Sequence, residues 1–299
     1  MAVIAVVWAK KKKSRSDSLL LFSFARVIIR KRSKSIMEYA LVTGAFGGMG
    51  KATVKALKEA GYFVFALDKR VEDGAENVLP IEYDATDESS VQRAFEQVKA
   101  TADKLSVIIH FAGIYTLNSL VEITEEEFIR VFNVNVFGVY RVNKIFLPLL
   151  TKGSKIIVTT SELAPLDPLP FTGLYAVAKN ALDKYAYSLR MELQLLGISV
   201  IVFRPGAVET ELLGVSTRAL DRFCENTKLY SCNAERFKRV VNGVEARKVP
   251  PERVAKKALK IAQKKRPKYV YTLNRNPLLL ILNALPKRCQ TSIIKRILR

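Results

Sequence analysis

Histidine occurs once in the 299 residues and cysteine three times, at Cys224, Cys232 and Cys289. A structural zinc or iron–sulfur centre needs about four such ligands at short, regular spacings, so neither residue type supports a metal site. The same scarcity excludes a disulfide framework and is what a reducing, cytoplasmic compartment leads one to expect. No apolar run approaches the ~20 residues of a membrane-spanning helix. No internal repeat is visible either, which removes solenoids and propellers. What remains is a chain with 49% hydrophobic residues, enough for a full core in one large domain.

Acidic residues are missing in particular places. Residues 1–36 hold ten Lys/Arg and one acid, and residues 264–299 hold ten Lys/Arg and none, whereas 37–263 balance 29 bases against 27 acids. The formal charge of +21 therefore sits at the two ends of an almost neutral body. No aromatic stacking platform or recognition-helix pattern accompanies it, so nucleic acid is not an expected partner. Cationic ends interleaved with apolar residues point to peripheral contact with an anionic membrane surface. The first 36 residues read as a basic extension, and Met37, two residues before the first strand, offers an alternative start.

From Met37 onward, strand and helix patterns alternate, which implies a parallel sheet with helices on both faces. Strands are expected over 39–43, 62–67, 78–83, 107–110, 155–160, 199–203 and 268–272, and helices over 49–60, 88–101, 125–150, 175–196 and 251–265. Thr124 with Glu127 forms a capping box for the long helix, and Gly197 is a plausible C-cap. The first strand runs into Thr43-Gly44-Ala45-Phe46-Gly47-Gly48-Met49-Gly50, a glycine loop opening a helix. Such a strand–turn–helix arrangement seats a pyrophosphate on backbone N–H groups at the helix N-terminus. Much further on, Tyr175 and Lys179 lie one turn apart on a helix, where an ammonium would lower the pKa of the phenol and ready it for proton transfer.

Together these motifs resemble the short-chain dehydrogenase/reductase family, closest in look to its retinol and hydroxysteroid branch. The likeness covers residues 37–272 and extends to Asn135 in Val134-Asn135-Val136, Ser161 in Thr159-Thr160-Ser161, and Pro205-Gly206-Ala207-Val208-Glu209-Thr210. It implies a single Rossmann-like, doubly wound α/β fold of about seven parallel strands. It also implies an oxidoreductase in which Asn135, Ser161, Tyr175 and Lys179 are catalytic, with Ser161 and Tyr175 binding the substrate. The cofactor would be held by Gly44, Phe46, Gly48, Met49, Gly50, Asp68, Asp84, Ala85, Ala112, Gly113, Tyr175, Lys179, Pro205, Gly206, Val208 and Thr210. Asp68 at the end of the second strand favours ribose hydroxyls over a 2′-phosphate, hence NAD(H), while Lys69 and Arg70 leave NADP(H) open.

The chain departs from the family where two asparagines usually precede Ala112-Gly113: here they are His110 and Phe111. His110 is read as a satisfied sheet residue, since Tyr175 already fills the acid–base role. The resemblance further implies a lipophilic alcohol or ketone as substrate, a lid over 212–242, and a homodimer or homotetramer paired through the two long helices. Residues 273–299 read as a basic amphipathic tail outside the catalytic domain. Two other readings compete: a catalytically idle, membrane-docked dinucleotide-binding scaffold, and an epimerase or dehydratase, whose glycine spacing usually differs.

Overall fold

The computed structural model describes residues 37–299 except Thr210, Ala246 and Arg247, and the side chains of 211–218, Val244 and Glu245 are not described. The basic extension 1–36 and the clamp residue Thr210 thus lie outside the described residues. Seven strands form one parallel sheet in the order β3-β2-β1-β4-β5-β6-β7. They are β1 (Glu38–Thr43), β2 (Tyr62–Asp68), β3 (Val78–Glu82), β4 (Leu105–His110), β5 (Leu150–Thr159), β6 (Ser199–Pro205) and β7 (Val270–Leu273). The strand order reverses between β1 and β4, and in open α/β sheets the crevice at that reversal, beyond the carboxyl ends of the strands, binds ligands.

The pleat sends alternate residues to opposite faces, and each face is covered by helices. Leu41, Phe65, Ile108 and Val158 belong to one buried cluster, while Ala40, Val42, Ile109 and Ile157 belong to the other. Helices α2 (Glu88–Lys99) and α5 (Gly173–Leu193) cover the first face, and α1 (Gly48–Glu59) and α8 (Pro251–Ala262) the second. Asp87 caps α2 through its side chain, and Thr124 caps the crossover helix by accepting from Glu127 N at 3.3 Å.

The crossover expected as one helix over 125–150 is broken. It runs as α3 (Glu125–Phe132), a π-helical turn Asn133–Phe137, α4 (Gly138–Phe146) and a 3₁₀ turn Leu147–Leu149 that contains Pro148. Proline ends the α-helical ladder there, and Leu150 already belongs to β5. The π turn carries Asn135, which is fully buried and needs partners off the helix.

After β6 come α6 (Glu211–Asn226) and α7 (Ser231–Glu245), which occupy the segment read as a lid. They share an apolar cluster containing Leu117, Leu220, Phe223 and Phe237, against which Leu298 packs. The final helices, α9 (Pro277–Ala284) and α10 (Lys287–Leu298), are tied to the body rather than forming a separate tail, and residues 38–299 make one compact unit. Asn276 N donates to Glu162 Oε2 at 2.6 Å, Asp167 N donates to Asn283 Oδ1 at 2.8 Å, and Asn233 Nδ2 donates to the Leu298 carbonyl at 2.6 Å.

Candidate active site

The glycine loop turns between β1 and α1. Gly44 has φ +66°, and a Cβ there would stand 2.5 Å from the Ala112 backbone nitrogen, so the turn after β1 and the chain leaving β4 meet only without a side chain. Helix α1 starts after Gly47 with no side-chain cap and no acid in its first turn. Its N–H groups and the positive end of its dipole are therefore left facing the crevice, where a phosphate would complement both. Phe46 N donates to Asp68 Oδ2 at 2.9 Å, so the carboxylate at the end of β2 also holds the loop in place.

Next to it, Lys69 Nζ lies 2.6 Å from Asp84 Oδ2. Partial burial opposes ionisation of Asp84, but hydrogen bonds from Lys69 and Thr86 outweigh it and hold the carboxyl at about 2. The Ala85 carbonyl accepts from Arg141 Nη1 at 3.0 Å, bracing the turn between β3 and α2 against α4.

Beyond the crevice lies a cavity of about 240 Å³. Met49, Gly113, Asn135, Ser161, Tyr175, Lys179, Pro205, Gly206 and Val208, all expected site residues, line it together. Asn135 grips the chain leaving β4 with both ends of its amide: Oδ1 accepts from Ile114 N at 3.1 Å, and Nδ2 donates to the Ile114 carbonyl at 3.0 Å. A Cβ on Gly113 would fall 2.7 Å from that Asn135 oxygen and 3.4 Å from Lys179 Nζ, so glycine is what lets the three approach. Lys179 donates to the Thr159 carbonyl at 3.3 Å, and Ser161 Oγ accepts from Leu163 N at 3.2 Å.

The expectation that Lys179 lowers the phenol of Tyr175 does not hold in this structure. Burial pushes Tyr175 up to about 12, and only a hydrogen bond with Ser161 pulls against it. Burial also pushes Lys179 down to about 8. The reason is geometric. The ammonium sits 5.7 Å from the centre of the Tyr175 ring and spends a donor on a backbone carbonyl, so both groups feel desolvation more than each other. His110 is the satisfied sheet residue expected: Nε2 lies 2.9 Å from Asn143 Oδ1, and Asn143 Nδ2 donates to the Tyr185 hydroxyl.

Several cavity residues were not foreseen. The Tyr115 ring meets Tyr175 edge-on at 4.8 Å, and Leu169 and Leu279 supply apolar wall, joined by Val240 and Val241 from the segment read as a lid. Leu279 comes from α9, whose apolar run was visible but gave no sign of folding back on the site. Glu162, next to Ser161, has its carboxyl pushed up by burial while it holds the Asn276 backbone.

The arrangement fits a nicotinamide dinucleotide. The N-terminus of α1 is uncapped, Asp68 lies at the end of β2 against the glycine loop, and Thr159 Oγ1, buried on the cavity wall, lacks a protein partner among the described residues. The family model described as short chain dehydrogenase matches residues 38–220. Among curated proteins, the chain is similar to a 3-ketodihydrosphingosine reductase of Bacteroides thetaiotaomicron (28% identical over 232 residues, 72% of this chain and 86% of that one). It is also similar to an NADPH-dependent 3-dehydrocapnine reductase of Ornithobacterium rhinotracheale (28% identical over 251 residues, 79% and 88%). Among solved structures, Thermoplasma acidophilum aldohexose dehydrogenase in its ligand-free form superposes with a TM-score of 0.69, covering 84% of this chain and 97% of that one at 20% identity. At that identity the likeness speaks for the fold.

Proposed function

This chain belongs to the short chain dehydrogenase family, and we propose that it is a NAD(H)-dependent oxidoreductase interconverting a lipophilic alcohol and its ketone or aldehyde. The family makes it an oxidoreductase of alcohol and ketone groups that works with a nicotinamide dinucleotide. The observation that carries the finer reading is the convergence of Asn135, Ser161, Tyr175 and Lys179 on one cavity whose remaining wall is mostly apolar. A hydroxysteroid, a retinoid or a long-chain keto compound fits that lining better than a sugar does. The relatives named as reductases of 3-ketodihydrosphingosine and 3-dehydrocapnine support a keto substrate.

In this reading Tyr175 exchanges the proton with the substrate oxygen. Burial pushes its phenol up to about 12 while the hydrogen bond with Ser161 pulls it back, and a phenol so placed can give its proton in carbonyl reduction and recover it in alcohol oxidation. Ser161 orients that oxygen by hydrogen bonding, and Lys179 would hold the nicotinamide ribose. Asn135 keeps the segment at Ile114 in place beside Lys179 and continues the proton path. The bound cofactor supplies or accepts the hydride directly at carbon, so the protein's task is positioning and proton transfer.

Preference for NAD rests on Asp68, whose carboxylate repels a 2′-phosphate, and on Lys69, whose ammonium is already engaged by Asp84. An idle scaffold would have no use for four polar groups gathered in an apolar cavity. The test is a panel of steroid, retinoid and long-chain ketones with NADH and NADPH, followed at the reduced-nicotinamide absorbance. Tyr175→Phe should lower kcat by at least ~10²-fold while cofactor binding, read by fluorescence, persists. A variant that keeps a third of the turnover removes Tyr175 from this role.

A further inference from the structure

We infer that α9 and α10 form a docking face for an anionic bilayer, placed beside the mouth of the cavity. Helix α9 divides its side chains between two destinations. Leu279 enters the cavity wall, while its neighbours Leu278 and Ile281 each remain 62% exposed. Leu278 and Ile281 are three residues apart, so they share a face, as do Ile293 and Ile297 four apart on α10, exposed to 39% and 52%. Each of the two successive helices thus presents an exposed apolar pair of its own.

The charge that α9 and α10 themselves carry has one sign. Residues 264–299 carry ten Lys/Arg and no acid. Arg288, Lys295, Arg296 and Arg299 are exposed, while Lys287 pairs with Asp167 and Arg275 lies in the field of Glu162 on the body. A second copy of the chain would bring an identical set of cations against this one, which disfavours a self-complementary contact. An anionic membrane surface complements both features, attracting the cations and accepting the exposed leucine and isoleucines at the acyl boundary. No helix among the described residues is long and apolar enough to cross a membrane, so the contact is in the plane of the surface.

The placement explains why the face adjoins the site. Val240 on α7 is 41% exposed and also lines the cavity, which puts the opening beside α7 and α9. A lipophilic molecule leaving the bilayer at Leu278 meets Leu279 and Val240 without passing through water. That delivery rests on the function proposed above; the docking does not.

The test uses the full chain, sedimented with vesicles of phosphatidylcholine alone or mixed with phosphatidylglycerol, at low and high salt. Wild type should bind the anionic vesicles and leave the neutral ones. Lys295→Glu/Arg296→Glu should reduce the partition coefficient by at least ~10-fold, because each cation near such a surface contributes a several-fold factor. Leu278→Ser/Ile281→Ser should lose the fraction that salt does not release. These residues are exposed and outside the cavity lining, so circular dichroism should be unchanged, and so should turnover of a short, water-miscible ketone. Wild type that ignores anionic vesicles overturns the inference, as does undiminished binding in both variants, which would move the contact to another part of the chain. A dimer in light scattering that Leu278→Ser/Ile281→Ser dissolves, without vesicle binding, would assign the face to a second copy. Vesicle binding without any turnover would leave the docking standing and sink the proposed reaction.

Discussion

Replacing Arg204 by methionine tests what holds the helix bearing Tyr175 and Lys179 in register. Asp183 lies one turn beyond Lys179 on α5, and Arg204 immediately precedes Pro205 at the end of β6. The guanidinium grips the carboxylate with two bonds, Nε to Oδ1 at 3.0 Å and Nη2 to Oδ2 at 2.6 Å, and Thr160 Oγ1 adds a longer one at 3.3 Å. The side chains are only 17% and 12% exposed, so solvent screens the pair little. Removing the arginine leaves a nearly buried carboxylate with a single weak donor, which should cost about 3–5 kcal/mol. The pair itself is worth much less than that, because both charges were desolvated to form it. Arg204→Met combined with Asp183→Leu should therefore lie within about 1–2 kcal/mol of wild type. Urea unfolding of the wild type, both single variants and the double variant measures this cycle. A loss below about 1 kcal/mol in Arg204→Met would refute the reasoning, as would a double variant no better than that single one. Activity gives a second readout. A shift of about 1 Å in Tyr175 relative to the Pro205–Gly206 turn can cost ~10²-fold, so kcat of the folded single variant should fall further than its cofactor affinity.

Cofactor choice is expected to follow Asp68: Asp68→Ala should raise kcat/KM with NADPH relative to NADH, and a wild type that already prefers NADPH would refute the assignment. Acid should weaken the fold through His110, which burial and the nearby Lys179 hold down at about 4 against the pull of its hydrogen bond to Asn143. Between about 4 and 6.5 the unfolded chain takes up a proton that the native protein refuses. Stability is therefore lost as pH falls through that window, by ~3 kcal/mol at most, and a His110→Asn variant should show a flatter urea midpoint over the same range. Light scattering should find a dimer or tetramer, because Phe137, Tyr140, Tyr187 and Met191 stay exposed along the crossover and α5; a clean monomer would count against that pairing.

The sheet was legible because its strands are short apolar runs punctuated by helices, and a parallel sheet buried on both faces demands that pattern. Ile108 and Ile109, or Ile156 and Ile157, are adjacent and equally buried, as a strand covered on both faces allows. The break at Asn135 was not legible. Its cause is the backbone of Ile114, 21 residues earlier, which the amide must reach from inside a helix. No local propensity encodes that need. The same holds for α9: Pro277 to Leu282 reads as an amphipathic stretch, but its attachment depends on the Glu162 carboxylate, 114 positions away from Asn276.

The site residues were visible for a different reason. A glycine that must pass another backbone, a phenol one turn from an ammonium, and a proline–glycine turn after a strand leave a mark in the sequence that packing alone does not. Their electrostatics left none. Proximity along a helix suggested that Lys179 would acidify Tyr175, yet sequence spacing places the two Cα atoms and not the charged ends. With the ammonium over the ring and bonded to the Thr159 carbonyl, desolvation governs both groups, and the Tyr175 phenol is raised where the spacing had suggested lowering. Tyr115, Leu169 and Leu279, three wall residues from three distant segments, line the same cavity as that phenol, so part of its surroundings comes from residues that carry no motif.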